Sequence, residues 1–253
     1  YLQKVNVPIN NIGYSLKNFQ RLECVINSIK SVRCGLDFLV CGNIFRPNQE
    51  GYFFCNGLTK ETVFEEFISY IEDLEKEIGF AGILIKECNS PLLKEGKFTA
   101  IKQDISMEMT LNSDWLTIGD YVEDLDKKYR KRFQKIQESG AELEKRELNS
   151  NELQHFQKPM FELYNQVYST QDFKLTNITE AYFINLKEVL GEKLKIYGFF
   201  KNEELLAFTT HIYNENRQME IHYIGLNYEW NKKYNLYFNI LQFGLEKAII
   251  DRQ

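Results

Sequence analysis

The stretch Leu205-Leu-Ala-Phe-Thr-Thr-His-Ile-Tyr213, Asn214-Glu-Asn-Arg217, Gln218-Met-Glu-Ile-His-Tyr-Ile-Gly-Leu226 reads as a β-hairpin. Two runs rich in β-branched and aromatic residues flank four polar turn residues. A loop centred between Glu215 and Asn216 pairs Tyr213 with Gln218, His211 with Glu220 and Thr209 with His222. Side-chain alternation then predicts Thr209, His211, Glu220 and His222 on one face. Phe208, Ile212, Met219 and Ile221 take the other, which is the predicted core face. The chain has three histidines, and two of them would meet one carboxylate across this strand pair. A histidine beside a glutamate can accept or relay a proton near neutral pH. The bland alternative is a polar sheet face with an incidental His/Glu pair. Everything depends on register, because a slip of one residue turns one strand's side chains to the opposite face.

Outward from the hairpin, Lys193 to Phe200 reads as a preceding strand joined through the turn at Asn202-Glu203. That makes three antiparallel strands in a row. Before them come a strand over Ala141 to Leu148, a helix from about Glu152 that is interrupted or restarted at Pro159, and a helix over Glu180 to Leu190. Thr179 would cap the second helix and Gly191 would stop it. After the hairpin, Asn227-Tyr-Glu-Trp-Asn-Lys-Lys-Tyr234 leads into a long apolar helix beginning near Tyr234. Free N–H groups at a helix start suit phosphates, and Lys232 and Lys233 add positive charge. The plainer alternative is a strand-to-helix turn capped by Asn231 or Asn235, since no glycine-rich loop is present.

Further back, Ile118 to Ser139 reads as one helix with the stripe Ile118, Val122, Leu125, Tyr129, Phe133 and Ile136. Thr117 and Asp120 form a capping-box pattern. Acids lead this stretch and bases end it, which suits the helix dipole. The charges therefore predict a solvated face, with a patch for an anionic substrate or RNA as the alternative. In the first half, Leu36 to Cys41 and Gly51 to Cys55 read as strands around the turn residues Arg46 to Glu50. A helix capped by Thr59 carries Val63, Phe67, Ile71, Leu74 and Ile78 and stops at Gly79. Ala81 to Ile85 reads as a buried strand, and a further strand is expected around Phe98 to Leu111.

Composition sets the outer bounds. The chain has 253 residues, 26% charged and 43% hydrophobic, which excludes extended disorder and fibrous structure. No apolar run approaches the roughly 18 residues of a membrane span, so a soluble, cytoplasmic protein is expected. The net charge of -5 argues against a protein dominated by nucleic-acid binding. Cys24, Cys34, Cys41, Cys55 and Cys88 contain no CxxC pair, so neither a disulfide framework nor a metal site is expected. They read as small buried thiols in a reducing compartment. The chain opens at Tyr1 without a Met and stops at Gln253 inside a predicted helix, so a longer biological chain is expected.

Several strings together resemble the GNAT acyltransferase superfamily, in particular its Fem-like branch, which packs two GNAT-type halves together. They are Asp120-Tyr121, Leu125, Lys128-Tyr129-Arg130-Lys131-Arg132, the Tyr182-Phe183 helix ending at Gly191, Ala207-Phe208, His222-Tyr-Ile-Gly225 and Tyr234-Asn-Leu-Tyr237. The resemblance covers roughly residues 105–253; over 1–104 it is topological. It implies an α+β fold with a mixed sheet and two GNAT-type halves, a partial one over 1–104 and one over 105–253 that lacks its last strand.

The resemblance also implies transfer of an acyl group from acetyl-CoA or another acyl-CoA to a primary amine, without a covalent enzyme intermediate. The acceptor would be a small molecule or a bacterial cell-envelope precursor. His211, Glu220 or His222 would deprotonate the attacking ammonium, and Tyr237 would protonate the leaving thiolate. Tyr223, Ile224, Gly225 and Leu226 would hold the thioester and pantetheine arm. Asn231, Lys232, Lys233, Tyr234 and Asn235 would hold the pyrophosphate, and Tyr129 and Arg130 are candidate substrate contacts. Asn-Lys-Lys-Tyr-Asn replaces the usual glycine-containing loop. Two alternatives therefore stand beside the first: a Fem-type transferase using aminoacyl-tRNA, with tRNA as second-choice partner, and a non-catalytic recognition module.

Overall fold

The computed structural model describes residues 2–8, 35–46, 60–87, 98–99, 107–171, 177–215 and 217–251. The chain divides into two compact units, Tyr1–Glu108 with Asp172–Asn177, and Met109–Gln171 with Ile178–Gln253.

In the first unit, strands β1 (Leu2–Pro8), β2 (Gly35–Cys41) and β3 (Gly82–Ile85) form a sheet in the order β1-β2-β3. β1 runs antiparallel to β2, and β2 parallel to β3. A parallel pair needs a crossover, and helix α1 (Lys60–Ile78) lies between β2 and β3 in sequence. Val5, Val7 and Val40 make the small core. Ile71 of the expected stripe is fully buried. Gly79, at φ 74°, closes α1 by donating to Glu75 O, as its lack of a Cβ allows. Cys41 is buried, as expected of a small apolar thiol. The other four cysteines, the expected strand over Gly51 to Cys55 and the Thr59 cap lie outside the described residues. Of the strand expected around Phe98 to Leu111, residues 98–99 and 107–111 form none, and the rest lies outside the described residues.

The second unit runs α2 (Ile118–Asp124), α3 (Lys127–Ser139), β4 (Glu144–Glu147), α4 (Ser150–Ser169), α5 (Tyr182–Leu190), β5 (Leu194–Lys201), β6 (Glu204–Tyr213), β7 (Met219–Leu226), α6 (Tyr228–Tyr234) and α7 (Leu236–Asp251). The four strands form an antiparallel sheet in the order β4-β5-β6-β7. Helices cover both faces. α4 and α5 lie on one, where Phe183 meets Phe208 and Tyr164 meets Tyr223. α7 lies on the other, where Phe243 meets Tyr197 and Phe199. The main core gathers Leu206, Ala207, Leu226, Leu236 and Ile240 on the α7 side. The mixed α/β architecture and the order strand, two helices, three antiparallel strands, then helix are those expected.

Four local expectations change. The Thr117/Asp120 capping box is present, but the expected 118–139 helix is two helices, broken where Leu125 takes extended backbone. The bases therefore open α3, with no acid in its first turn, which opposes its dipole rather than suiting it. α4 continues through Pro159 without interruption. The cap of α5 is Ala181, and Thr179 contributes its carbonyl rather than its side chain. The last long helix starts at Leu236, because Asn235 adopts the left-handed conformation (φ 46°) and separates it from α6.

Candidate functional site

The hairpin turn decides what the site contains. Asn214 N–H donates to Gln218 O at 3.0 Å, and Gln218 N–H donates to Asn214 Oδ1 at 3.1 Å. Three residues therefore separate the paired ends, and the last of them, Arg217, sits at φ 55°. An odd loop length shifts the register by one from the even-loop expectation. Tyr213 pairs with Met219, Ile212 with Glu220, and His211 with Ile221. The expected four-residue polar face is thereby dissolved: His211 lies on the α7 face, Glu220 and His222 on the α4/α5 face.

A bulge adds to this. From His211↔Ile221 to Thr209↔Ile224, β6 advances two residues while β7 advances three. The extra residue makes both His222 and Tyr223 face α5, the kind of re-aiming that bulges produce. Thr210 replaces the broken ladder. Its Oγ1 accepts from Tyr223 N–H at 2.8 Å and donates to Tyr223 O at 3.1 Å.

On the α4/α5 face, Glu220 Oε1 lies 3.1 Å from His222 Nδ1, and Tyr182 Oη lies 2.8 Å from His222 Nε2. An ionised Glu220 can only accept, so Nδ1 carries the imidazole proton and Nε2 accepts from the Tyr182 hydroxyl. The His222 side chain is 2% exposed and that of Glu220 31%. Tyr182 and Phe183 from α5, Tyr164 from α4 and Tyr223 pack edge-on around this chain. Burial, then Tyr182 and Glu220 nearby, holds the Tyr223 hydroxyl well above its ordinary range. β7 is an edge strand, paired with β6 alone among the described strands.

His211 is a different case. It is fully buried against Tyr197 and Phe243. Among the described residues neither ring nitrogen has a hydrogen-bond partner. Burial lowers its pKa to about 4, so it is a neutral core residue rather than a partner of Glu220. Tyr237 also packs against the α7-side core, across the sheet from Glu220 and His222.

The expected cofactor residues divide in the same way. Tyr223's backbone N–H is taken by Thr210. Gly225 is fixed by packing, since a Cβ there would lie 2.2 Å from Phe208 Cε1 and 2.8 Å from Tyr164 N. Leu226 and Tyr234 are core residues, and Ile224 packs against the same core. The expected loop from Asn227 to Asn235 is largely helix α6, capped by Asn227. Asn231 Oδ1 accepts from Tyr237 N–H at 3.1 Å, occupying one amide of the α7 start. Lys232 and Lys233 are exposed, and Lys233 Nζ lies over the Tyr234 ring at 4.8 Å. Arg130, expected as a substrate contact, instead caps α2 by donating to the carbonyls of Val122, Glu123 and Leu125. Tyr129 is 52% exposed on α3.

Sequence reasoning missed Tyr182 and Thr210. Tyr182 is one of 15 tyrosines and meets His222 across 40 positions of chain, so no local pattern marks it. Among the described residues no group of three or more His, Cys, Asp or Glu side chains could hold a metal ion. Nor is any helix there long and apolar enough to cross a membrane.

No family model matches the chain, and no curated protein matches it. Solved structures with some likeness include an aminoglycoside acetyltransferase from an uncultured soil metagenomic sample in complex with sisomicin. It is 18% identical, with a TM-score of 0.29, over 43% of this chain and 73% of that one. The same acetyltransferase in complex with trehalose gives 16% identity and a TM-score of 0.29 over the same shares.

Proposed function

We propose that the second unit is an N-acyltransferase that moves an acyl group from an acyl-CoA thioester to a primary amine by direct attack. The observation that carries the reading is the hydrogen-bonded Glu220–His222 pair beside the bulge of edge strand β7. A carboxylate that fixes an imidazole in one tautomer makes a general base. An unpaired strand edge offers backbone groups to an extended pantetheine arm, and Ile224 and Gly225 lie beside it. The resemblance of the His222-Tyr-Ile-Gly225 string to GNAT acyltransferases supports the same reading. The acceptor would be a small-molecule amine or a cell-envelope precursor. Calorimetry and thermal shift with acetyl-CoA and longer acyl-CoAs test it. Stabilisation that grows with ligand concentration is expected. Absence of heat and of shift across the series would remove the donor and with it the reading.

A second reading keeps the fold and takes aminoacyl-tRNA as donor. It is favoured by Lys127, Lys128, Lys131, Arg132 and Lys135, all exposed on α3, the first two at the helix end where the dipole disfavours cations. Binding of tRNA would then weaken steeply with added salt. Absent or salt-insensitive binding discards it.

A further inference from the structure

The hydrogen bonds around His222 leave it no ring nitrogen for a substrate. Nδ1 is held by Glu220 at 3.1 Å and Nε2 by Tyr182 at 2.8 Å. The ring itself is 2% exposed. A base in that position receives a proton only through one of its two partners. Of these, Glu220 is 31% exposed and is the end that can exchange a proton with water. Tyr182 is half-buried and packs edge-on against Phe183 and Tyr223. Desolvation in such a half-buried position disfavours an ammonium and favours the neutral amine that attack requires.

From this geometry we infer that Tyr182 is a catalytic residue: its phenol oxygen, not His222, meets the attacking amine, and His222 stores the proton behind it. The inference deepens the acyl-transfer reading and rests on it. As the amine nitrogen bonds to the thioester carbonyl carbon, its N–H bond breaks and an O–H bond forms at Tyr182 Oη. The original phenol proton passes to His222 Nε2, and the resulting imidazolium is balanced by the Glu220 carboxylate. Collapse of the tetrahedral adduct breaks the C–S bond. The stored proton then returns through Tyr182 to the thiolate, so amide and thiol form with no other reactant. Tyr182 is the first residue of α5, and its N–H donates to Thr179 O at 3.0 Å. The backbone and the ring contacts with Phe183 and Tyr223 therefore hold the ring independently of its hydroxyl.

Tyr182→Phe keeps the ring and removes the relay. With acetyl-CoA as donor and the best amine from a panel, the single-turnover rate should fall about 10²-fold while KM for both substrates holds. The proton inventory in mixed H2O and D2O should be bowl-shaped for the unaltered protein, two protons moving together, and linear for the variant. A ring that merely packs would leave the inventory alone. An unchanged rate, or an inventory of the same shape in both proteins, overturns the proposal. Nitrogen NMR of the labelled imidazole gives a reading that needs no turnover. The proton should reside on His222 Nδ1, and a proton on Nε2 overturns the relay whether or not acyl transfer occurs. If the unaltered protein acylates no amine, the acyl-transfer reading fails and the catalytic role of Tyr182 with it. Nδ1 protonation would then preserve only the hydrogen-bonded chain.

Discussion

Two histidines sit on neighbouring strands of one hairpin and face opposite ways. His211, on β6, is buried beneath α7 against aromatic rings, and neither ring nitrogen is bonded among the described residues. His222, on β7, is nearly as buried, yet both of its nitrogens are bonded. Burial alone therefore does not distinguish the two rings. What distinguishes them is whether neighbouring groups fix a tautomer and offer the proton a way in and out. The α7 face provides rings and methyls; the α5 face provides a carboxylate and a phenol.

Turnover should separate the two histidines most. Removing a positioned general base costs about 10²- to 10⁴-fold in rate. His222→Ala and Glu220→Gln should each fall in that range, while His211→Leu should leave turnover nearly unchanged. Steady-state acyl transfer from acetyl-CoA to the best amine decides it. A His211→Leu variant as impaired as His222→Ala would break the assignment of roles to faces.

Acid stability is the next test, and it concerns His211. Its folded pKa is about 4 against an ordinary 6.5. The unfolded chain therefore takes up a proton as the pH falls below 6.5, and the folded one does not. Stability contributed by the neutral ring is fully present above pH 6.5 and is lost progressively until about pH 4. A gap of this size corresponds to about 3 kcal/mol. Denaturant titrations from pH 7 to pH 4 should show that decline, and His211→Leu should flatten it. The variant should lose nothing at pH 7, because no hydrogen bond among the described residues is given up. An equal decline in both proteins would place the acid-sensitive group elsewhere.

A smaller contrast lies in two glycines. Gly225 faces Phe208 and the α4 backbone, and a Cβ there would sit 2.8 Å from Tyr164 N, an atom that cannot rotate away. Gly225→Ala should destabilise by about 1–3 kcal/mol through overpacking. Gly244, within α7, would bring its Cβ to 2.7 Å from Ile221 Cδ1, the far end of a flexible side chain. There a gain of up to about 1 kcal/mol in helix propensity offsets the strain, so Gly244→Ala should be close to neutral. Thermal melts of the two variants would expose any reversal of that order.

Much of this architecture was legible because periodicity is local. The alternation in β5, β6 and β7, the Thr117/Asp120 box and the stop at Gly191 all appear within windows of a few residues. Glu220 and His222 were legible as a pair for the same reason, being two apart on one strand. What escaped was set by non-local contact or by single odd residues. The break at Leu125 is stabilised by Arg130 reaching back to three carbonyls, so an arginine that looked like a substrate contact is a helix cap. Tyr182 reaches the site only through the packing of α5 on the sheet. The bulge opposite Thr210 inserts one residue without any glycine or proline to mark it. The face of His211 depends on the parity of the turn, and no residue in Asn214-Glu-Asn-Arg217 marks it as three residues long rather than four.

That turn also yields the gentlest test, and its informative quantity is a sign. With three residues between Asn214 and Gln218, Arg217 sits in the left-handed region at φ 55°, where a side chain is strained and glycine is not. Arg217→Gly should then raise stability, by up to about 1 kcal/mol after the entropic cost of glycine. Had the loop been centred between Glu215 and Asn216, Arg217 would stand at the strand end in extended backbone. Glycine there weakens the strand, and the same substitution would lower stability. A denaturant midpoint that moves up supports the register that separates His211 from His222. One that moves down would count against the left-handed conformation at Arg217 and the three-residue turn built on it.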